Sequence, residues 1–348
     1  MTSQEEVRSI LQIERLSLAD FESLLSDSAT EIIEELAQKA QRLTQKHFGK
    51  TMQFYAPIYL SNECNNQCVY CGFNSKVSGQ RVSLSVEQAV AEAKVLAQMG
   101  FRHILLVSGE KKDVVSVDYL KRLVFQLRDL FASISIEIYP MSEYDYKELL
   151  AAGVDGLTVY QEVYDREIYE KVHPAGPKSD YNFRFETPER GGRAGFYKIN
   201  IGYLLGLGDW QSETLALAKH AQYLQKKFWQ SQISISFPRL KGSRVSDLQL
   251  TQMICALRIF LPKVGLVLST REPAELRDNL IPLGITQMSA ASRTSPGAYS
   301  QDEPATEQFA ISDQRSLTEV AAAIVKKGYE PVYKDWDRVY IETAAIDS

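Results

Sequence analysis

The chain has 348 residues, 45% of them hydrophobic and 24% charged, which describes an ordinary folded globular protein. Its net charge of −5 gives no basic field for non-specific nucleic-acid binding. No apolar run approaches the roughly 20 residues of a membrane span, and the polar, acidic start from Met1 to Arg8 does not read as a secretory signal.

The first fifty residues predict helix. Ser28-Ala-Thr-Glu31 has the pattern of a capping box, followed by Ile32, Ile33, Leu36, Ala40 and Leu43 at helical spacing and a stop at Gly49. Residues 1–53 are therefore expected to form a helical extension packed on the rest of the chain. From residue 54 the chain alternates between β-rich runs and helical stretches. Strands are predicted at 54–61, 103–109, 133–140, 156–162, 198–206, 232–238, 264–270 and 286–291. Between them, Ser85-Val-Glu-Gln88 is a second capping box, opening a helix through Ala89, Ala93 and Leu96 to Gly100. Met141 to Gly153 and Ser212 to Trp229 follow the same period.

Strands alternating with helices imply a parallel sheet with right-handed crossovers. Eight such units suggest closure into a single (β/α)8 TIM-type barrel over residues 54–348, with a C-terminal tail, and 348 residues lie within the range of that fold. The pattern alone does not exclude an open doubly wound sheet. No Gly-x-Gly-x-x-Gly follows an early strand, which goes against dinucleotide binding.

In such barrels function collects where strands end. The predicted ends carry Tyr59, Ser108-Gly109-Glu110, Tyr139-Pro140, Tyr160-Gln161-Glu162, Phe237-Pro238-Arg239, Ser269-Thr270-Arg271-Glu272, and Ser289 with Ser292-Arg293. Polar groups at corresponding ends form a ring around one mouth. The acidic stretch Ala298 to Phe309 reads as a surface loop after the last strand, and the sequence leaves open whether it covers that mouth.

Three of the four cysteines stand directly after the first strand, as Cys64, Cys68 and Cys71 in the spacing C-x3-C-x2-C. Three thiolates on one loop suit a [4Fe-4S] cluster with one iron left open. Zinc would need a closed set of four ligands, and none of the four histidines (His47, His103, His173, His220) lies near the loop in sequence. The fourth cysteine, Cys255, falls in the apolar run Leu248 to Phe260 and reads as a buried structural thiol. So few cysteines predict no disulfide framework and a reducing cytoplasm.

The cysteine spacing, with aromatic Tyr70 before the third cysteine, resembles the signature of the radical S-adenosylmethionine superfamily. That resemblance implies a [4Fe-4S] cluster, S-adenosyl-L-methionine and a 5′-deoxyadenosyl radical. Ser108-Gly109-Glu110 is similar to the family's Gly-Gly-Glu segment, with serine in place of the first glycine. It implies that Glu110 holds the amino group of the bound methionine. Backbone at Tyr70 would meet the adenine, Gln161 and Glu162 the ribose, and Arg184, in Phe183-Arg-Phe-Glu-Thr-Pro188, the methionine carboxylate.

Over roughly residues 15 to 340 the chain resembles the ThiH-type tyrosine lyases (2-iminoacetate synthases). The matching stretches are Glu186-Thr-Pro-Glu-Arg-Gly-Gly-Arg-Ala-Gly195, Gly202-Tyr-Leu-Leu-Gly-Leu-Gly-Asp209, Ser234-Ile-Ser-Phe-Pro-Arg239, Leu268-Ser-Thr-Arg-Glu272, Met288-Ser-Ala-Ala-Ser-Arg-Thr-Ser-Pro-Gly297 and Pro331-Val-Tyr-Lys-Asp-Trp336. This likeness implies cleavage of the Cα–Cβ bond of L-tyrosine to 2-iminoacetate (dehydroglycine) and p-cresol for the thiazole of thiamine. Arg271, assisted by Ser289 and Tyr59, would anchor the substrate carboxylate. Two alternatives stay open: an ion pair of Arg271 with Glu272 or Glu275, and Arg293 in its place.

The implied partners are the thiazole synthase ThiG, the thiocarboxylated sulfur carrier ThiS and a flavodoxin-type reductant. Two rivals share the cysteine loop, a tryptophan lyase making an indolic acid and a non-catalytic iron–sulfur protein. The tyrosine lyase that matures [FeFe]-hydrogenase carries a second cysteine set, and no cysteine follows Cys255 here.

Overall fold

A computed structural model of the chain describes residues 2–300 and 305–335. Its centre is a closed ring of eight parallel strands: β1 (Thr51–Ser61), β2 (His103–Ser108), β3 (Ser133–Glu137), β4 (Gly156–Glu162), β5 (Lys198–Tyr203), β6 (Gln232–Ser236), β7 (Gly265–Leu268) and β8 (Gln287–Ser289). Closure is made by β1, which pairs with β8 through Gln53–Tyr55 and with β2 from Ala56 onward. All eight predicted strands are present, and the barrel replaces the open sheet as the architecture. A ninth short strand, β9 (Glu330–Val332), pairs with Thr51–Gln53 at the start of β1. The sequence reading missed it; three residues around a proline carry no strand signal.

Alternation along the strands separates two environments. Ile104, Leu106, Ile134, Ile136, Leu157, Val159, Ile199, Ile201, Ile233 and Ile235 are buried in the main apolar core. Their neighbours Ser133, Ser135, Thr158, Asn200 and Ser234 line a cavity inside the ring. The apolar core therefore sits between sheet and helices, while the lumen mixes small polar side chains with apolar ones such as Leu105 and Val267. This departs from barrels whose interior is filled by bulky branched side chains.

The N-terminal residues are helical, as expected, in four pieces: Gln4–Ile10, Leu18–Leu24, Asp27–Thr30 and Ile33–Phe48. The predicted capping box at Ser28 does not form. Ser28 Oγ donates to the Thr2 carbonyl 26 residues away, at 2.6 Å, and the long helix starts after Ile32 with no side-chain cap. By contrast, Ser85 and Gln88 cap each other's backbone as predicted. The extension packs on helix Asp247–Phe260, where Phe21 stacks on Phe260 with ring centres 4.6 Å apart. Gln252 of that helix donates to the Leu24 and Ser26 carbonyls and accepts from Thr30 Oγ1. Cys255 is fully buried in the same helix, and burial pushes its thiol up to about 12. β1 begins at Thr51, so the expected boundary at residue 53 falls inside a strand of the barrel.

Candidate active site

The strand ends open into one cavity of about 740 Å³, counted out to its mouth. Its lining includes Tyr59, Tyr70, Cys71, Glu162, Arg271 and Ser289 of the residues predicted from sequence. Cys64, Cys68, Glu110, Gln161 and Arg184 are not on its wall and stand off the cavity.

The cysteine loop begins where β1 ends and is tied down by its own backbone. Gln67, Val69 and Gly72 donate N–H groups to the carbonyls of Ala175, Val172 and Gln308, at 3.0, 3.1 and 3.0 Å. Asn66 Oδ1 accepts from the Lys178 N–H at 2.8 Å. Arg81, which sequence reasoning missed, clamps the loop's far side by donating to the carbonyls of Asn62, Phe73, Asn74 and Val77. Cys64 Sγ accepts N–H groups from Asn66 and Glu110, and Cys71 Sγ accepts one from Phe73, all at 3.4 Å. Such donors suit thiolates bound to iron.

Burial raises the Cys68 thiol and lifts that of Cys71 to about 12, with the neighbouring cysteines adding to both and Lys178 opposing. Bare, these groups keep their protons; a metal that binds only the thiolate displaces them. Among the described residues no three His, Cys, Asp or Glu side chains converge on a single-ion site. Each cysteine of a polynuclear cluster binds its own iron, so convergence on one point is not the geometry it needs. The donor set fits a cluster.

Behind the loop lie two ion pairs. Arg184 donates to Glu110 at 2.8 Å and to the Tyr160 carbonyl at 2.7 Å, and both charged side chains are nearly inaccessible. Burial pushes the Glu110 carboxyl up, but Arg184 and Lys178 outweigh it and hold it below its ordinary value. Lys178 pairs with Glu162 at 2.7 Å and lies 5.6 Å from the centre of the Tyr70 ring. An acid and an arginine side by side match the ammonium and carboxylate of an α-amino acid, which is the end of S-adenosylmethionine the resemblance assigned to them.

Glu162 has φ +71, a left-handed conformation that costs a non-glycine residue of order 1–3 kcal/mol. A register skip causes it: Tyr160 faces Gly202, Glu162 faces Tyr203, and Gln161 is left out of the pairing. Gln161 is buried with neither amide atom hydrogen-bonded among the described residues. Gly202 is needed here, because a Cβ would lie 2.8 Å from the Tyr160 ring and 2.4 Å from the Ser236 carbonyl.

Arg271 is on the cavity wall and Arg293 is not. Glu272 pairs with Arg239 instead. The Arg271 guanidinium makes no hydrogen bond or ion pair among the described residues and stacks 3.6 Å from the centre of the Phe309 ring. Burial lowers its pKa, with Tyr59 and Glu162 opposing. Arg293 is exposed and off the cavity wall. Tyr59 donates to Gln308 Oε1 at 2.7 Å, and Ser289 stands opposite Tyr55 in the β1–β8 pairing.

Of the segment Ala305–Phe309, Gln308 and Phe309 are on the cavity wall; residues 301–304 fall outside the described chain. The segment is held by Gln308 N–H to the Thr294 carbonyl at 2.9 Å and by the contact to Gly72. A Cβ on Gly72 would stand 2.1 Å from the Glu307 carbonyl, so only glycine permits this approach.

Sequence reasoning also missed Glu137 and Lys178. Glu137 lines the cavity, where burial and Glu162 raise its carboxyl to about 7 against Lys178, Arg184 and Arg271. Its signal was present in Ser133-Ile-Ser-Ile-Glu137, whose alternation turns Ser133, Ser135 and Glu137 inward.

Residues 58–218 match the radical SAM superfamily, and residues 236–330 match the biotin and thiamin synthesis associated domain. A 2-iminoacetate synthase of Escherichia coli is 43% identical over 95% of this chain and 90% of its own length. The [FeFe]-hydrogenase maturase HydG from Carboxydothermus hydrogenoformans superposes with a TM-score of 0.89 at 37% identity, covering 95% of this chain and 80% of that one. Methylornithine synthase (PylB), with a TM-score of 0.76 at 21% identity over 97% of this chain and 99% of the other, shares the fold.

Proposed function

The chain belongs to the 2-iminoacetate synthase family of the radical S-adenosylmethionine superfamily, and on that premise we propose how its barrel performs the reaction. It is a carbon–carbon lyase that cleaves the Cα–Cβ bond of L-tyrosine to 2-iminoacetate and p-cresol. The observation that carries this reading is Arg271, a half-buried cation with no acidic partner among the described residues, in one cavity with Cys71 and Glu162. A charge drawn partly out of water and left unpaired is costly. A carboxylate ligand supplies the missing partner, bidentately.

Cys64, Cys68 and Cys71 hold the [4Fe-4S] cluster. With S-adenosylmethionine bound, the cluster would supply the one-electron reduction that starts the radical reaction. Glu110 and Arg184 hold the amino-acid end of S-adenosylmethionine, while Tyr70, Gln161 and Glu162 support its nucleoside. Arg271, Ser289 and Tyr59 hold the tyrosine carboxylate and so fix the amine. Gln308 and Phe309 on the cavity wall keep water and stray hydrogen donors out, which a radical reaction needs. The helical residues before β1 act as a packing extension of a single barrel unit that begins at Thr51.

The product feeds thiazole formation for thiamine, with ThiG and ThiS as the consuming partners and a flavodoxin-type protein as electron donor. Among the described residues no helix is long and apolar enough to cross a membrane. A reducing cytoplasm suits four free cysteines.

The test is an anaerobic assay of the iron-reconstituted protein with S-adenosylmethionine, dithionite and either tyrosine or tryptophan, read by mass spectrometry. Tyrosine-dependent 5′-deoxyadenosine with p-cresol and glyoxylate is expected. An indolic acid from tryptophan would replace the reading with a tryptophan lyase, and no product from either would end it.

A further inference from the structure

Glu137 has no place in the chemistry assigned so far. It ends β3, and Arg271 follows β7, four strands away in a ring of eight. The two residues therefore stand on opposite walls of the same cavity. Glu137 is in register with Val107 and, through it, with Tyr59, so the three occupy one layer of the ring. Of the two carboxylates on the cavity wall, Glu162 is paired with Lys178. Glu137 has no hydrogen-bond or ion-pair partner among the described residues. Leu105, Val107, Pro57, Leu204, Pro238 and the Tyr160 ring make up apolar wall between the two ends.

An amino acid anchored by its carboxylate at Arg271 must send its side chain across this apolar stretch. Tyrosine, alone among the aromatic amino acids, ends in a hydroxyl on the ring axis. We propose that Glu137 receives the phenol hydroxyl of the substrate and thereby selects tyrosine over phenylalanine and tryptophan. Either protonation state of a carboxyl can accept from a phenol O–H, and burial holding Glu137 near neutrality keeps the desolvation cost of the empty site low. A site built around a substrate hydroxyl rejects the analogue without it far more strongly than an apolar pocket rejects a missing methylene.

This inference rests on the tyrosine-lyase reading, and the experiment separates the two. Full-length, cluster-loaded wild type, Glu137→Gln and Glu137→Leu are compared with S-adenosylmethionine present. Calorimetry without reductant gives the affinities for L-tyrosine and L-phenylalanine, and the reduced enzyme gives 5′-deoxyadenosine formed with each. Glu137→Leu is expected to weaken tyrosine binding by about ten- to a hundredfold with phenylalanine binding unchanged or tighter, and Glu137→Gln to fall between. Cluster absorbance and S-adenosylmethionine affinity check the fold. If the leucine variant does not fold, the glutamine variant decides through its tyrosine-to-phenylalanine ratio. A ratio within twofold of wild type in the folded variants would overturn the role of Glu137 while leaving the lyase standing. Wild-type enzyme that turns over no tyrosine would overturn the lyase itself.

Discussion

The two ends of the barrel are built from different chemistry. At the C-terminal ends of the strands stand Glu110, Glu137, Glu162, Lys178, Arg184 and Arg271, all within one electrostatic neighbourhood. At the N-terminal ends the lumen carries small hydroxyls and amides, among them Ser133, Ser135, Thr158, Asn200 and Ser234. Tyr55 and Leu105 line both cavities and form the layer between them. The charges of the lower end are answered within the chain: Asp335 lies 2.6 Å from His103 Nε2 and 3.7 Å from Lys198. At the upper end Arg271 and Glu137 are left unanswered. The difference teaches that one end is finished by the chain itself and the other awaits a ligand.

The hardest blow to that contrast comes at the cluster. Cys68→Ala should abolish 5′-deoxyadenosine formation altogether, and any tyrosine-dependent product from that variant would break the assignment of the upper end. Next comes Arg271→Ala, expected to reduce kcat/KM for tyrosine by about a hundredfold or more, as for loss of a half-buried charged partner. Its cluster absorbance should be normal. Arg293→Ala is the control and should match wild type within twofold; the reverse pattern would move the carboxylate anchor.

The lower end is probed by Asp335→Asn. His103 and Lys198 overcome burial and hold the Asp335 carboxyl at about 2, below its ordinary 3.8. A depressed acid stabilises above its unfolded value and loses that contribution as pH falls from about 4 through 2. The variant should therefore lose about 1–2 kcal/mol at neutral pH and show a flatter acid limb in chemical denaturation. Tyrosine turnover should not change; a large loss of turnover would erase the distinction between the two ends. Smallest is Cys255→Ser, expected to cost about 1 kcal/mol of packing with the cluster intact, read by iron content and a melt.

Much of this was legible because the signals were local. Ile134 and Ile136, or Ile233 and Ile235, announce strands by alternation, and the three cysteines announce a ligand loop by spacing alone. What failed depended on distant partners. Ser28 carries a good capping pattern, but Thr2 takes its hydroxyl. Lys178 sits in a short turn between helices, where nothing in the sequence says that Glu162 and Tyr70 lie beside it. Glu137 was hidden differently. Ile138 and Tyr139 are buried loop residues that extended the predicted strand to residue 140, so the acid at its true end was read as interior.

The stitching of the cysteine loop sets an order for the life of the chain. Cys71 leaves the ribosome more than two hundred residues before Gln308, and the carbonyls of Val172 and Ala175 also come later. At roughly 5–20 residues per second, the thiols wait many seconds without their cradle, and β1 cannot pair with β8 until nearly the whole chain is out. Iron delivered to a stalled chain ending before residue 308 should be held more weakly than iron delivered to released protein. Maturation of this enzyme thus belongs after translation, a timing written into where the chain places its last hydrogen bonds.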